Sequence, residues 1–219
     1  MTLVVYRSAR QTGSDELGRG RVPQPRPTVL SMLVLLVVHP RRVLDAAAAR
    51  PRLAVGALSV AVTGLLCLGL ELLAATVGAA GSAAVIVSIA VPVMLAVFWL
   101  TSGLLVSAGA RLMGRAPRRR DLLAVSGLTF PVLVLYAVIA LVQAASPRWG
   151  GDVLSTAAGL VAFPVVCWFV ALNAIAVHAV YDLPALSAVA IALLPYAALS
   201  TALLLIVVVV SALHSLGVV

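Results

Sequence analysis

In hydrocarbon, backbone amides can pair only with one another. This chain has five stretches whose side chains are almost all suited to hydrocarbon. They run over about residues 53–76, 82–110, 122–145, 153–180 and 183–213. A helix rises 1.5 Å per residue, so roughly twenty residues cross a core about 30 Å thick. Every stretch is longer than that, and the longest have room to tilt. The expected fold class is therefore all-α, a polytopic membrane helix bundle of about five transmembrane helices. Composition agrees, with 63% hydrophobic and only 10% charged residues, against roughly 25% charged in an average soluble protein. Fifteen basic and seven acidic side chains could not clothe a soluble fold of 219 residues. The same composition excludes a disordered chain, and two cysteines, Cys67 and Cys167, are too few for a disulfide scaffold.

The net charge of +8 could suggest nucleic-acid binding, but the distribution of the charge argues against it. All fifteen basic residues are arginine. Nine precede residue 53 (Arg7, Arg10, Arg19, Arg21, Arg26, Arg41, Arg42, Arg50 and Arg52), five lie between Arg111 and Arg120, and the last is Arg148. No basic stripe with interleaved aromatics is present, and no nucleic-acid partner is expected. Arginine beside apolar stretches instead sets orientation. With the N-terminus inside, fourteen arginines lie on the inner side and one, Arg148, on the outer side. Five crossings then put the C-terminus outside, in a multi-pass protein of the cell membrane. The weak point of that count is Tyr181-Asp182, a tight inner turn with no arginine.

Residues 1–27 form an Arg/Gly/Pro-rich tail whose alternating prolines favour an extended chain, and they are expected to be a disordered cytoplasmic segment. Residues 28–219 are the membrane domain. Its lead-in, Thr28 to Val38, is too short to cross and is expected to lie in the interface as a short helix closed by His39-Pro40-Arg41-Arg42. A signal peptide is disfavoured because the apolar run follows a long tail and is itself followed by arginines. The connections between crossings are too short to house a soluble catalytic domain. In the longest, Arg111 and Arg115 sit where a helix C-terminus favours positive charge, Pro117 blocks continuation and Asp121 is placed to cap the third crossing.

Few polar residues could carry chemistry. Glu71 is the only acid inside a crossing, and it is close enough to the outer end to reach interfacial water. Asn173 and Gln143 are expected to bond to neighbouring helices. His178 and Asp182 are four apart, which a continued helix would bring together, although Asp182 more simply caps the fifth crossing with Pro184 in its first turn. His39, His178 and His214 do not form a metal site, and no metal or cofactor is expected. Pro92, Pro131, Pro164 and Pro195 each bend one crossing. There is no lysine and hence no phosphate-binding Gly-x-x-x-x-Gly-Lys loop, no Gly-x-Ser-x-Gly elbow and no His-Glu-x-x-His helix. No enzymatic activity is expected.

The order of parts resembles the Yip (Ypt/Rab-interacting protein) domain family, in which a cytoplasmic tail and short lead-in precede five closely spaced crossings. The stretches that carry the resemblance are Val38-His-Pro-Arg-Arg-Val-Leu44 and Ala49-Arg-Pro-Arg-Leu53, then the basic loop leading to Ser126-Gly-Leu-Thr-Phe-Pro131. Val166-Cys-Trp-Phe-Val-Ala-Leu172, running on to Pro195, completes it. The acidic, tyrosine-containing motif of the eukaryotic trafficking members is absent, so Rab binding is not carried over, and the lysine-free, Ala/Arg/Val-rich composition suggests a bacterial-type member. The resemblance implies a non-enzymatic integral membrane protein that organises local lipid, another membrane protein or a copy of itself. Arg111, Arg115, Arg118, Arg119 and Arg120 are the candidate contacts on the inner face. Glu71, Asn173 and His178 are the candidate intramembrane polar contacts. A small transporter, or the membrane subunit of one, is the alternative.

Overall fold

The computed structural model describes residues 35–36, 38–78, 82–149 and 151–215. The expected tail and most of the lead-in lie outside these residues. The described elements are all helical: α1 (Pro40–Ala49), α2 (Leu53–Val77), α3 (Ser82–Leu112), α4 (Arg119–Ser126), a 3-10 segment (Gly127–Val132), α5 (Leu133–Trp149), α6 (Gly151–Tyr181) and α7 (Ala185–Ser215). Among the described residues five segments are long and apolar enough to cross a membrane: Leu53–Val77, Val85–Leu112, Arg119–Pro147, Gly151–Tyr181 and Ala185–Ser211.

The lead-in is helical at its described residues 35–36 and 38, and after a break at His39 a further short helix, α1, starts at Pro40, which occupies its first turn. At that position a helix has no intrahelical acceptor for the amide hydrogen, so the missing N–H of proline costs nothing and its fixed φ already suits the helix. Its amphipathic face buries Leu44 completely, with Val43, Ala47 and Ala48 packed around it. The helix lies against α6 and α4.

The third crossing is not one continuous helix. α4 tightens into the 3-10 segment and reopens as α5. Pro131 lacks the amide hydrogen that an α-helix would bond to the carbonyl at position 127. The tight segment also lets two backbones meet: a Cβ on Gly127 would stand 2.5 Å from the carbonyl oxygen of Gly56, and a Cβ on Gly56 would stand 2.6 Å from that of Ala124. Only glycine permits this approach of α2 to the third crossing. The second proline with a specific partner is Pro92, whose Cα would lie 3.1 Å from a Cβ on Gly64.

Lipid tails are as apolar as leucine, so association here rests on packing and interhelical hydrogen bonds rather than on escape from water. Four aromatic rings fill the centre. Phe130 and Phe169 meet edge to face at 5.4 Å, and Phe98 and Tyr196 meet at 5.6 Å with their rings tilted by 59°. Trp99 donates its indole N–H to the carbonyl of Leu123 at 3.1 Å, joining α3 to α4. Beyond Tyr196 the last helix leaves the bundle, and residues 197–211 are all exposed. In a bilayer such all-round apolar exposure meets lipid.

Candidate functional site

Helix lengths and reversals bring the arginines together. The N-termini of α2, α4 and α7 and the C-termini of α3 and α6 share one end of the bundle, and α1 lies across it. Nine described arginines gather there: Arg41, Arg42, Arg50, Arg52, Arg111, Arg115, Arg118, Arg119 and Arg120. Among the described residues they are accompanied there by three acids, Asp45, Asp121 and Asp182. No ion pair joins an arginine to an acid among the described residues.

The five arginines of the α3–α4 connection divide into two groups. Arg115 donates from Nη2 to the carbonyl of Asp182 at 2.8 Å, and Arg118 from Nη1 to the carbonyl of Val180 at 3.4 Å. The last carbonyls of a helix have no partner within it, and its C-terminus attracts positive charge. Two arginines from one connection thus cap α6 across the bundle. Arg111, Arg119 and Arg120 are exposed and make no hydrogen bond to a described residue. Arg119 and Arg120 occupy the first turn of α4, where the helix dipole disfavours a cation, and only Asp121 in the same turn offsets them. Asp121 is therefore inside the first turn rather than the capping residue, which is Arg118.

α3 ends in a Schellman motif, one residue position earlier than Arg115. Gly114 adopts φ 73°, its N–H bonds the Arg111 carbonyl at 3.0 Å, and the Arg115 N–H bonds the Ala110 carbonyl at 3.0 Å. The connection is thus a folded turn, anchored again by its bonds to α6. Beneath it Ser107 donates to the Gly103 carbonyl at 2.6 Å, so the Tyr181 hydroxyl, 3.1 Å away, donates to Ser107.

The intramembrane polar residues occupy separate places. Glu71 is half-buried in α2 and shares no hydrogen bond with another described residue. Asn173 donates to the Phe169 carbonyl of its own helix at 2.9 Å and accepts from Thr129 of the 3-10 segment at 3.5 Å. Gln143 reaches from α5 to the Ser155 carbonyl of α6 at 3.4 Å, as its position predicted. His178 does not pair with Asp182, because the helix stops at Tyr181 and Asp182 turns the chain at φ 50°. The His178 ring meets the Leu183 carbonyl through Nδ1. A carbonyl can only accept, so Nδ1 carries the proton. The Asp182 carboxylate makes no cap on α7, whose first turn is instead bonded from Ala188 N–H to the Pro184 carbonyl. Among the described residues no three His, Cys, Asp or Glu side chains converge.

Between α3, the third crossing, α6 and α7 lies a cavity of about 20 Å³, lined in part by Ser102, Ser126, Asn173 and Tyr196. The Ser102 hydroxyl there is buried without a partner. That volume is about what one water needs.

Sequence reasoning missed three contacts: the arginine caps on α6, the Ser107–Tyr181 bond and the Trp99 bond to Leu123. Only the Gly114 stop was visible in principle, as glycine following a run of helical residues with arginine in the last turn.

The family model described as the Yip1 domain matches residues 34–209, from just before α1 to the exposed part of α7. The chain belongs to the Yip1 domain family. No curated protein and no solved structure matches it. Yip1-domain membership and five membrane-crossing segments together make it a multi-pass integral membrane protein in contact with lipid.

Proposed function

We propose that this Yip1-domain protein is a non-enzymatic organiser of the cell membrane, with N-terminus cytoplasmic and C-terminus outside. It gathers anionic lipid, or a membrane partner with an acidic surface, at its basic cytoplasmic end. The observation that carries this reading is the placement of Arg111, Arg119 and Arg120. They are exposed and unpaired among the described residues, and two of them stand where α4 itself disfavours positive charge. The charges of Arg119 and Arg120 work against the dipole of their own helix, and an anionic surface is the environment that offsets them. Membership in a family not known for enzymes supports the non-enzymatic part.

Each basic residue near an anionic leaflet contributes about 1 kcal/mol, and the effect fades within a Debye length of about 10 Å at 0.1 M salt. The triple variant Arg111→Gln/Arg119→Gln/Arg120→Gln should therefore lose retained phosphatidylglycerol, or the acidic partner, by on the order of tenfold or more. Wild type should lose it on raising salt. Lipid and protein content after purification in mild detergent at low and high salt is the measurement. Equal content in wild type and variant at low salt would make these arginines an orientation signal only.

A further inference from the structure

We infer that the groove between the last turns of α3 and the loop after it is a seat for one anionic phospholipid. This rests on the reading that the basic end holds lipid, and goes further by assigning a site and a ligand. Leu104, Ser107, Ala108, Arg111 and Leu112 recur at helical spacing along one face of α3, and Pro117 of the returning loop closes the other side. The groove encloses about 400 Å³ and is open to the surroundings.

Three observations give the groove its chemistry. Its wall runs in order along the helix axis: apolar at Leu104 and Ala108, then cationic at Arg111, the sequence a phospholipid presents from acyl chain to phosphate. Arg111 has no partner among the described residues, so its guanidinium is free to take two phosphate oxygens in a fork. Leu112, next to Arg111, is 90% exposed at the end of a membrane-crossing helix, an apolar surface that water would penalise and the glycerol end of the lipid would cover.

The loop is held in place independently of any ligand. The Schellman turn at Gly114 and the bonds from Arg115 and Arg118 to α6 fix Pro117 over the groove. A preformed site loses little freedom on binding. An acidic peptide would match Arg111 but would leave the apolar wall uncovered, so a lipid accounts for both halves of the groove.

Native mass spectrometry of the full chain, released from nanodiscs of equal parts phosphatidylglycerol and phosphatidylcholine, tests this. Wild type should keep one phosphatidylglycerol in preference to phosphatidylcholine. Arg111→Gln should weaken that binding about fivefold. Ala108→Trp, which fills the groove and leaves every charge in place, should abolish it. Leu112→Ser should weaken it without touching the packed core, and it decides the matter if Ala108→Trp does not fold. If both groove variants bound phosphatidylglycerol like wild type while binding still fell with salt, the groove assignment would be overturned and the broader reading would stand. If wild type showed no salt-dependent retention at all, both would fall.

Discussion

Alanine at Gly127 is expected to lower the stability of the bundle by about 3 kcal/mol, the upper end of the usual overpacking range. The added methyl would stand 2.5 Å from the carbonyl oxygen and 2.6 Å from the Cα of Gly56. Both are backbone atoms, which cannot swing aside as a side chain would. To admit the methyl, α2 must withdraw from the third crossing, and the neighbouring contact of Gly56 with the carbonyls of Leu123 and Ala124 is lost with it. Gly56→Ala should act in the same direction, because it meets the same pair of backbones from the other side. Gly69→Ala is the control. A Cβ there meets nothing within 4 Å, and glycine in a helix is the poorer helix former by about 1 kcal/mol, so this change should be neutral or stabilising. Denaturant titration of the three variants in one detergent separates the outcomes. Equal stability of Gly127→Ala and Gly69→Ala would mean that the helices do not approach as described.

The second large effect is expected at Phe130. Its side chain is 2% exposed and lies in ring contact with Phe98 and Phe169. In a soluble core, Phe→Ala removes both transfer free energy and packing, about 3–5 kcal/mol in all. Here the separated helices would still lie in lipid, so the transfer part largely cancels and the packing and cavity part remains. Phe130→Ala should therefore cost about 2 kcal/mol. Phe163→Ala, at a ring 73% exposed on the outside of the bundle, should cost almost nothing under the same conditions. Similar losses for the two would contradict the central placement of the aromatic cluster.

The five crossings were legible because lipid imposes one strict condition on the backbone, and the apolar stretches from Leu53 onward meet it with little ambiguity. The additional helix after the lead-in was not legible, because proline both stops and starts helices, and Pro40 starts one. The break in the third crossing was only half legible. Pro131 signalled a bend, but the 3-10 geometry also depends on Gly56, more than seventy residues earlier in the chain. The basic cluster was legible as a charge pattern. Its division was not, because the acceptors of Arg115 and Arg118 are backbone carbonyls more than sixty residues away that leave no mark on the sequence. His178 and Asp182 misled for the complementary reason. Spacing of four implies contact only while the helix continues, and it ends at Tyr181.

The proposal that the basic end faces the cytoplasm rests on the arginine asymmetry, fourteen against one, and on the joining of the α3–α4 connection to the α6–α7 turn at the same end of the bundle. Orientation in living cells is read most directly by fusing, after Leu213, one reporter active only outside the cytoplasm and, separately, one active only within it. The outside reporter should be active and the inside reporter silent, while a cysteine replacing Arg120 reacts with an impermeant thiol reagent only after the membrane is opened. An inside reporter active at Leu213 would place the C-terminus in the cytoplasm and contradict five crossings with the basic end inside.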